Sequence, residues 1–124
     1  MARKTSSALT DAEARVMGVL WQRKTATVAD VVNALKAQYA LSYSTIQTML
    51  RILEHKGYVA HQKVARAFVF QPVVDERQAR RRAVKHLISR LFDGSPSLLV
   101  SNVLDDDDID PTELQRLKNM IERA

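Results

Sequence analysis

The chain has 124 residues, with 19 Lys+Arg against 14 Asp+Glu and no cysteine. Domains commonly span about 100–150 residues, so this length suits one compact domain or two small units, and zero cysteine excludes disulfides, thiolate zinc sites, iron–sulfur ligation and cysteine nucleophiles. The net charge of +5 is uneven: residues 1–90 carry 16 basic and 6 acidic side chains, and residues 91–124 carry 3 and 8, so the first part suits a polyanion and the second does not.

From the start, residues 1–7 lack the apolar run of a secretory signal, and no stretch of about 18 apolar residues exists to span a membrane. The expectation is a soluble cytoplasmic protein. Thr10-Asp11-Ala12-Glu13 is a capping box, in which the Thr hydroxyl and the Glu carboxylate satisfy orphan amides at a helix start. Val16, Met17, Leu20 and Trp21 then recur at helical spacing and form one buried face. Thr27-Val28-Ala29-Asp30 repeats the start signal, and Val28, Val31, Val32 and Leu35 predict a second helix ending near Tyr39. A third helix is predicted from residues 42–44 to Gly57, where a glycine suits a left-handed C-terminal residue and His55 and Lys56 suit the last turn. Its inner face is Ile46, Met49, Leu50 and Leu53; its outer face is Ser44, Gln47, Thr48, Arg51 and His55. Two strands over 58–64 and 66–71 follow, rich in aromatic and β-branched residues, with Phe68 and Phe70 alternating with Ala67 and Val69. They predict a hairpin with Lys63 and Arg66 near its tip, ended by Pro72.

Residues 75 to about 92 predict a helix whose first half is basic (Arg77, Arg80, Arg81, Arg82, Lys85) and whose second half gathers Val84, Leu87, Ile88 and Leu91 on one face. Gly94-Ser95-Pro96 breaks it, and Pro96 suits the first turn of the next helix. Leu98, Leu99, Val100, Val103 and Leu104 are too apolar for a solvated helix. Asp110-Pro111-Thr112-Glu113 starts a last helix with the stripe Leu114, Leu117 and Ile121. The expected fold is mainly α with a small β-hairpin: a winged helix-turn-helix over 1–73, followed by a three-helix C-terminal dimerisation region over 74–124. The dimer is expected because Leu87, Leu91, Leu98, Val100, Val103, Leu114, Leu117 and Ile121 need a partner surface that three short helices cannot supply alone.

The third helix carries the strongest functional signal. A helix-turn-helix lays its second helix in the major groove of DNA. Gln can bond adenine bidentately, Arg can bond guanine, and Ser or Thr can reach bases or phosphates; the helix start also offers amides to a phosphate. A plain amphipathic helix with a solvated polar face would show the same spacing. Three features favour the DNA reading: the preceding helix, the basic hairpin that follows, and the absence of acidic residues from Lys36 to Arg51. Lys63 and Arg66 suit either a wing gripping phosphate or an ordinary polar turn, and the Arg77–Lys85 cluster suits either a solvated face or DNA. His55, His61 and His86 lack metal-ligand spacing. Asp105-Asp106-Asp107-Asp108 echoes a calcium loop, but the glycine turn is missing and Arg116 stands at the twelfth position, so a solvated connector is the expectation. No cofactor and no metal are implied. Neither a Ser/His/Asp arrangement nor a glycine-rich phosphate loop is present, so no enzyme is expected.

The sequence resembles the penicillinase-repressor (BlaI/MecI) family of bacterial transcriptional regulators over essentially residues 9–123. The resemblance rests on Leu9-Thr10-x-x-Glu13-x-x-Val16-Met17-x-x-Leu20-Trp21, on Ser42-Tyr43-Ser44-Thr45-Ile46-Gln47-Thr48-Met49-Leu50-Arg51, on Leu53-Glu54-x-Lys56-Gly57-Tyr58-Val59, and on Arg66-Ala67-Phe68-Val69-Phe70-Gln71-Pro72-Val73. It implies a homodimer in which each winged helix enters one half of a palindromic operator, while the C-terminal helices interlock. It also implies release by a membrane sensor peptidase, with cleavage after the Asn of an Asn-Phe pair; here the pair is Asn102-Val103. Ile52 stands where members often carry an Arg. Copper-responsive members end in a cysteine-rich hook, which a chain without cysteine does not have. The function expected is that of a homodimeric, sequence-specific repressor binding double-stranded DNA through Ser42, Tyr43, Ser44, Thr45, Gln47, Thr48, Arg51, Lys63 and Arg66. The alternative is a protein-interaction module whose basic face meets an acidic partner.

Overall fold

A computed structural model describes residues 8–124; residues 1–7, read above for a signal peptide, lie outside the described residues. Helix α1 (Asp11–Arg23) begins at Thr10, where the expected capping box forms: the Glu13 amide donates to Thr10 Oγ1 at 3.1 Å, and the Thr10 amide donates to Glu13 Oε1 at 2.8 Å. The same device at Thr27 and Asp30 starts α2 (Val28–Leu35). This helix stops at Leu35 and not near Tyr39. The Gln38 and Tyr39 amides both donate to the Leu35 carbonyl, closing a turn, and Tyr39 packs on the core from that turn with the Arg15 guanidinium 4.0 Å over its ring.

Helix α3 (Tyr43–His55) ends as its glycine predicts. Gly57 has φ +86°, the Tyr58 amide donates to the Leu53 carbonyl, and the Gly57 amide donates to the Glu54 carbonyl. That pair of bonds is a Schellman closure, and the left-handed conformation it requires is open to glycine without penalty. Strands β2 (Val59–Val64) and β3 (Ala67–Pro72) pair antiparallel from Val59↔Pro72 to Val64↔Ala67. Pro72 therefore closes the ladder as its last member, a place where the missing N–H costs little. The sheet holds one strand beyond the expected hairpin. Ala26–Thr27, β1, adds to the outer edge of β3, with Ala26 opposite Phe70, giving the order β1-β3-β2. Two residues are too few to display alternation, and Thr27 already carried a cap signal.

Val16, Met17 and Leu20 from α1, Val31 from α2, and Ile46, Leu50 and Leu53 from α3 are fully buried, and Tyr58 and Phe70 seal them from the sheet side. Each such side chain stabilises the fold by about 1.5–3 kcal/mol relative to exposure. Phe68, expected to share the pattern of Phe70, is exposed instead. Trp21 donates from Nε1 to the Val74 carbonyl at 2.9 Å, tying α1 to the segment after the sheet.

The remaining helices are α4 (Glu76–Leu91), α5 (Pro96–Leu104) and α6 (Pro111–Arg123). Ser95 and Asp110 cap the last two, each with Pro at the first position. The chain divides into two compact units, one reaching to Ala83 and one covering Val84–Ala124, so the division falls inside α4. Ala79, in the first half of α4, is buried; α5 and α6 pack on each other but bury no residue fully. Among the described residues, no helix is long and apolar enough to cross a membrane.

Candidate nucleic-acid interface

The outward face of α3 and the β2–β3 hairpin enclose a cleft of about 590 Å³. Tyr43, Gln47, Arg51 and Glu54 line it from α3, which is the i, i+4, i+8, i+11 spacing of one helix face. The hairpin contributes His61, Arg66 and Phe68, and the start of α2 contributes Val28 and Ala29. Of the residues predicted to bind DNA, the fold brings Tyr43, Gln47, Arg51 and Arg66 to this one cleft. Tyr43 and Arg51 are exposed and Gln47 is half-buried. Ser44, Thr45, Thr48 and Lys63 are exposed but do not line the cleft.

Ser42 has a structural task of its own. Its hydroxyl accepts from the Thr45 amide at 3.2 Å, and it shares a 2.8 Å hydrogen bond with the Thr45 hydroxyl. The start of α3 thus has one of its orphan amides satisfied internally. At the hairpin tip, Ala65 adopts φ +57° in the two-residue turn between Val64 and Ala67, a conformation usually given to glycine. That turn places Arg66 beside the cleft, while the Lys63 ammonium lies 6.0 Å from the centre of the Phe68 ring.

Two features of this region escaped the sequence analysis. Glu13 and Lys56 form an ion pair at 2.7 Å, each with only 6–7% of its side chain exposed, and Lys56 also donates to the Ala8 carbonyl at 3.0 Å. Burial pushes the Glu13 carboxyl up, but the Lys56 ammonium and the Thr10 amide outweigh it and hold the group below the usual carboxylate value. The pair locks the end of α3 to the start of α1. Glu54 and His61 meet within the cleft, the His61 Nδ1 lying 2.7 Å from Oε2. Both pairs join residues that periodicity treats separately, one through a helix cap and one through the Gly57 turn. Only the capping role of Glu13 was legible as a motif.

The family model described as Penicillinase repressor matches residues 9–123. The chain belongs to the penicillinase repressor family. It is similar to the "Penicillinase repressor" of Bacillus licheniformis, with 32% identity over 114 residues that cover 92% of this chain and 89% of that one. It is also similar to the "Methicillin resistance regulatory protein MecI" of Mammaliicoccus sciuri, with 25% identity over 93% of this chain and 94% of the relative. Among solved structures, the solution structure of the DNA binding domain of the repressor BlaI matches with 37% identity and a TM-score of 0.53, covering 61% of this chain and 93% of that one. The family is one of DNA-binding transcriptional repressors, and the winged-helix expectation holds.

Proposed function

We propose that this member of the family is a cytoplasmic homodimer that represses transcription by binding a palindromic operator. In this reading residues 1–73 bind DNA and residues 74–124 dimerise. The carrying observation is the cleft in which Gln47 and Arg51 on α3 stand with Arg66 of the hairpin, since a recognition helix and a wing must meet the same stretch of duplex. Gln47 and Arg51 supply base contacts from the major-groove face, with Tyr43, Ser44 and Thr48 beside them. Ser42 and Thr45 hold the helix start near a phosphate, and Lys63 and Arg66 grip the backbone. Phosphate contacts give most of the affinity and a steep salt dependence, while the α3 side chains select sequence. Half-sites one helical turn apart, or a multiple of that, match a two-fold dimer.

The dimer surface is assigned to Leu87, Leu91, Leu98, Val100, Val103, Leu114, Leu117 and Ile121. None of the eight is fully buried, and Leu91 is 71% exposed. Release by a membrane sensor peptidase cutting between Asn102 and Val103 is proposed from the same region. Both residues are exposed on α5, a short helix with no buried residue, so opening it for a protease disturbs no core.

Footprinting on the DNA upstream of the protein's own gene tests the operator reading; equal affinity for the footprinted and a scrambled duplex would refute sequence-specific binding. A salt titration separates DNA binding from a module that meets an acidic protein, because only the former shows a steep log–log slope against duplex. A monomer mass at micromolar concentration counts against the dimer.

A further inference from the structure

The proposed DNA cleft contains one carboxylate among its lining residues, Glu54, and a second side chain that answers it. Glu54 stands in the last turn of α3, and His61 stands on β2. The His61 Nδ1 lies 2.8 Å from Oε1 and 2.7 Å from Oε2 of Glu54, so this nitrogen is the donor. The pair is open to solvent, with the two side chains 39% and 35% exposed. The imidazole is also held by the hairpin: the Phe68 ring meets it at 86° with centroids 5.3 Å apart, and the Phe70 ring lies at 5.4 Å. The other charged or titratable groups on this cleft are Tyr43 and Arg51 from α3 and Arg66 from the turn between β2 and β3. Thr27, Val28 and Ala29, which line it from β1 and α2, add no charge.

A lone carboxylate at this place would repel the phosphates that Arg51 and Arg66 are proposed to attract. A charged imidazole cancels it, and the hydrogen bond then becomes charge-assisted. Resting on the DNA-binding reading above, we propose that Glu54 and His61 are positioning residues for operator binding. Together they tie the wing to the end of the recognition helix, and they hide the cleft carboxylate from DNA when the imidazole carries its proton. DNA phosphates favour the charged imidazole, so the complex holds more protons than the unbound protein and affinity falls as pH rises.

The test uses the full chain and a duplex that it enriches from a random-sequence library. Affinity is measured from about pH 5.5 to about pH 8, the window in which histidines change charge, with thermal unfolding of every variant alongside. The wild type is expected to lose about fivefold in affinity across the window, the scale of a half-exposed ion pair. His61→Gln flattens the profile at the weak end, whereas Glu54→Gln, which keeps the imidazole in the cleft, keeps the fall with pH and binds more tightly than the wild type throughout. The double variant is flat and binds like Glu54→Gln at the high-pH end, more tightly than His61→Gln, which a merely structural role for His61 would not produce. Replacing His86 by Gln leaves the profile as in the wild type. A pH profile that persists in His61→Gln, or a double variant as weak as His61→Gln, overturns the proposal. A library that yields no enriched duplex overturns the sequence-specific reading and this proposal with it; an enriched duplex bound with a flat wild-type profile overturns the pair alone.

Discussion

Leu20, Leu50 and Leu53 of the first unit are withdrawn from solvent completely, whereas Leu91, Leu98 and Ile121 of the second each remain more than a third exposed. The sequences of the two regions do not announce this difference, since both present apolar stripes at helical spacing. The difference is architectural. In the first unit three helices and a three-stranded sheet surround one centre, so a stripe on any helix faces another on its neighbour. In the second, α5 packs on α6, and neither helix buries a residue fully. A helix pair has too little surface to enclose its own apolar face, so that face stays open to solvent. A similar stripe thus makes a core in one place and an exposed apolar face in the other, the face assigned above to the proposed dimer.

The largest effect is expected at Leu50. Leu50→Ala leaves a cavity in a closed core and is expected to cost about 3 kcal/mol, read from the urea midpoint. Glu13→Gln strips Lys56 of its buried partner and should cost nearly as much, about 3 kcal/mol. Its effect depends on pH in a defined sense. Because folding lowers the Glu13 pKa below its ordinary value of 4.5, the stabilisation is present above that value and is lost as pH falls through the folded-state pKa. Acid unfolding of the wild type, followed by circular dichroism, should therefore show a loss of stability that the variant lacks. Arg51→Ala is expected to weaken binding to the enriched duplex by about 2 kcal/mol while leaving the melting temperature unchanged, since Arg51 is exposed. Replacing Ala65 by glycine relieves a positive φ at the wing tip and should stabilise the first unit by about 1 kcal/mol. Leu91→Asp sharpens the contrast at the other extreme. It should change the stability of the first unit by no more than about 0.5 kcal/mol, yet shift the sedimentation mass from dimer to monomer. A variant that lowers the melting temperature of the first unit without altering the mass would mean that Leu91 serves folding and not assembly.

Much of the first unit was legible locally. Both capping boxes, the Schellman glycine and the hairpin are encoded within a few residues of one another, and each stands where the spacing puts it. The candidate DNA residues were legible in the same way, because Gln47 and Arg51 are one helical turn apart. Failures arose wherever a residue's role depended on something distant. The helix expected to end near Tyr39 stops at Leu35, because Tyr39 packs on the core across a turn. Phe68 and Phe70 carry the same pattern, and only the packing of α1 to α3 makes one of them buried.

The sequence by itself determined the type and order of the helices, the hairpin, the uneven charge and the family, because these depend on local spacing and on motifs of consecutive residues. Tertiary structure alone decided that Ala26–Thr27 becomes a third strand, that Glu13 finds Lys56, and that Glu54 meets His61 in the cleft with Arg51 and Arg66. Each of these is a contact between elements. Its existence depends on how helix faces and strand edges close around the core, and no periodicity along the chain carries that distance.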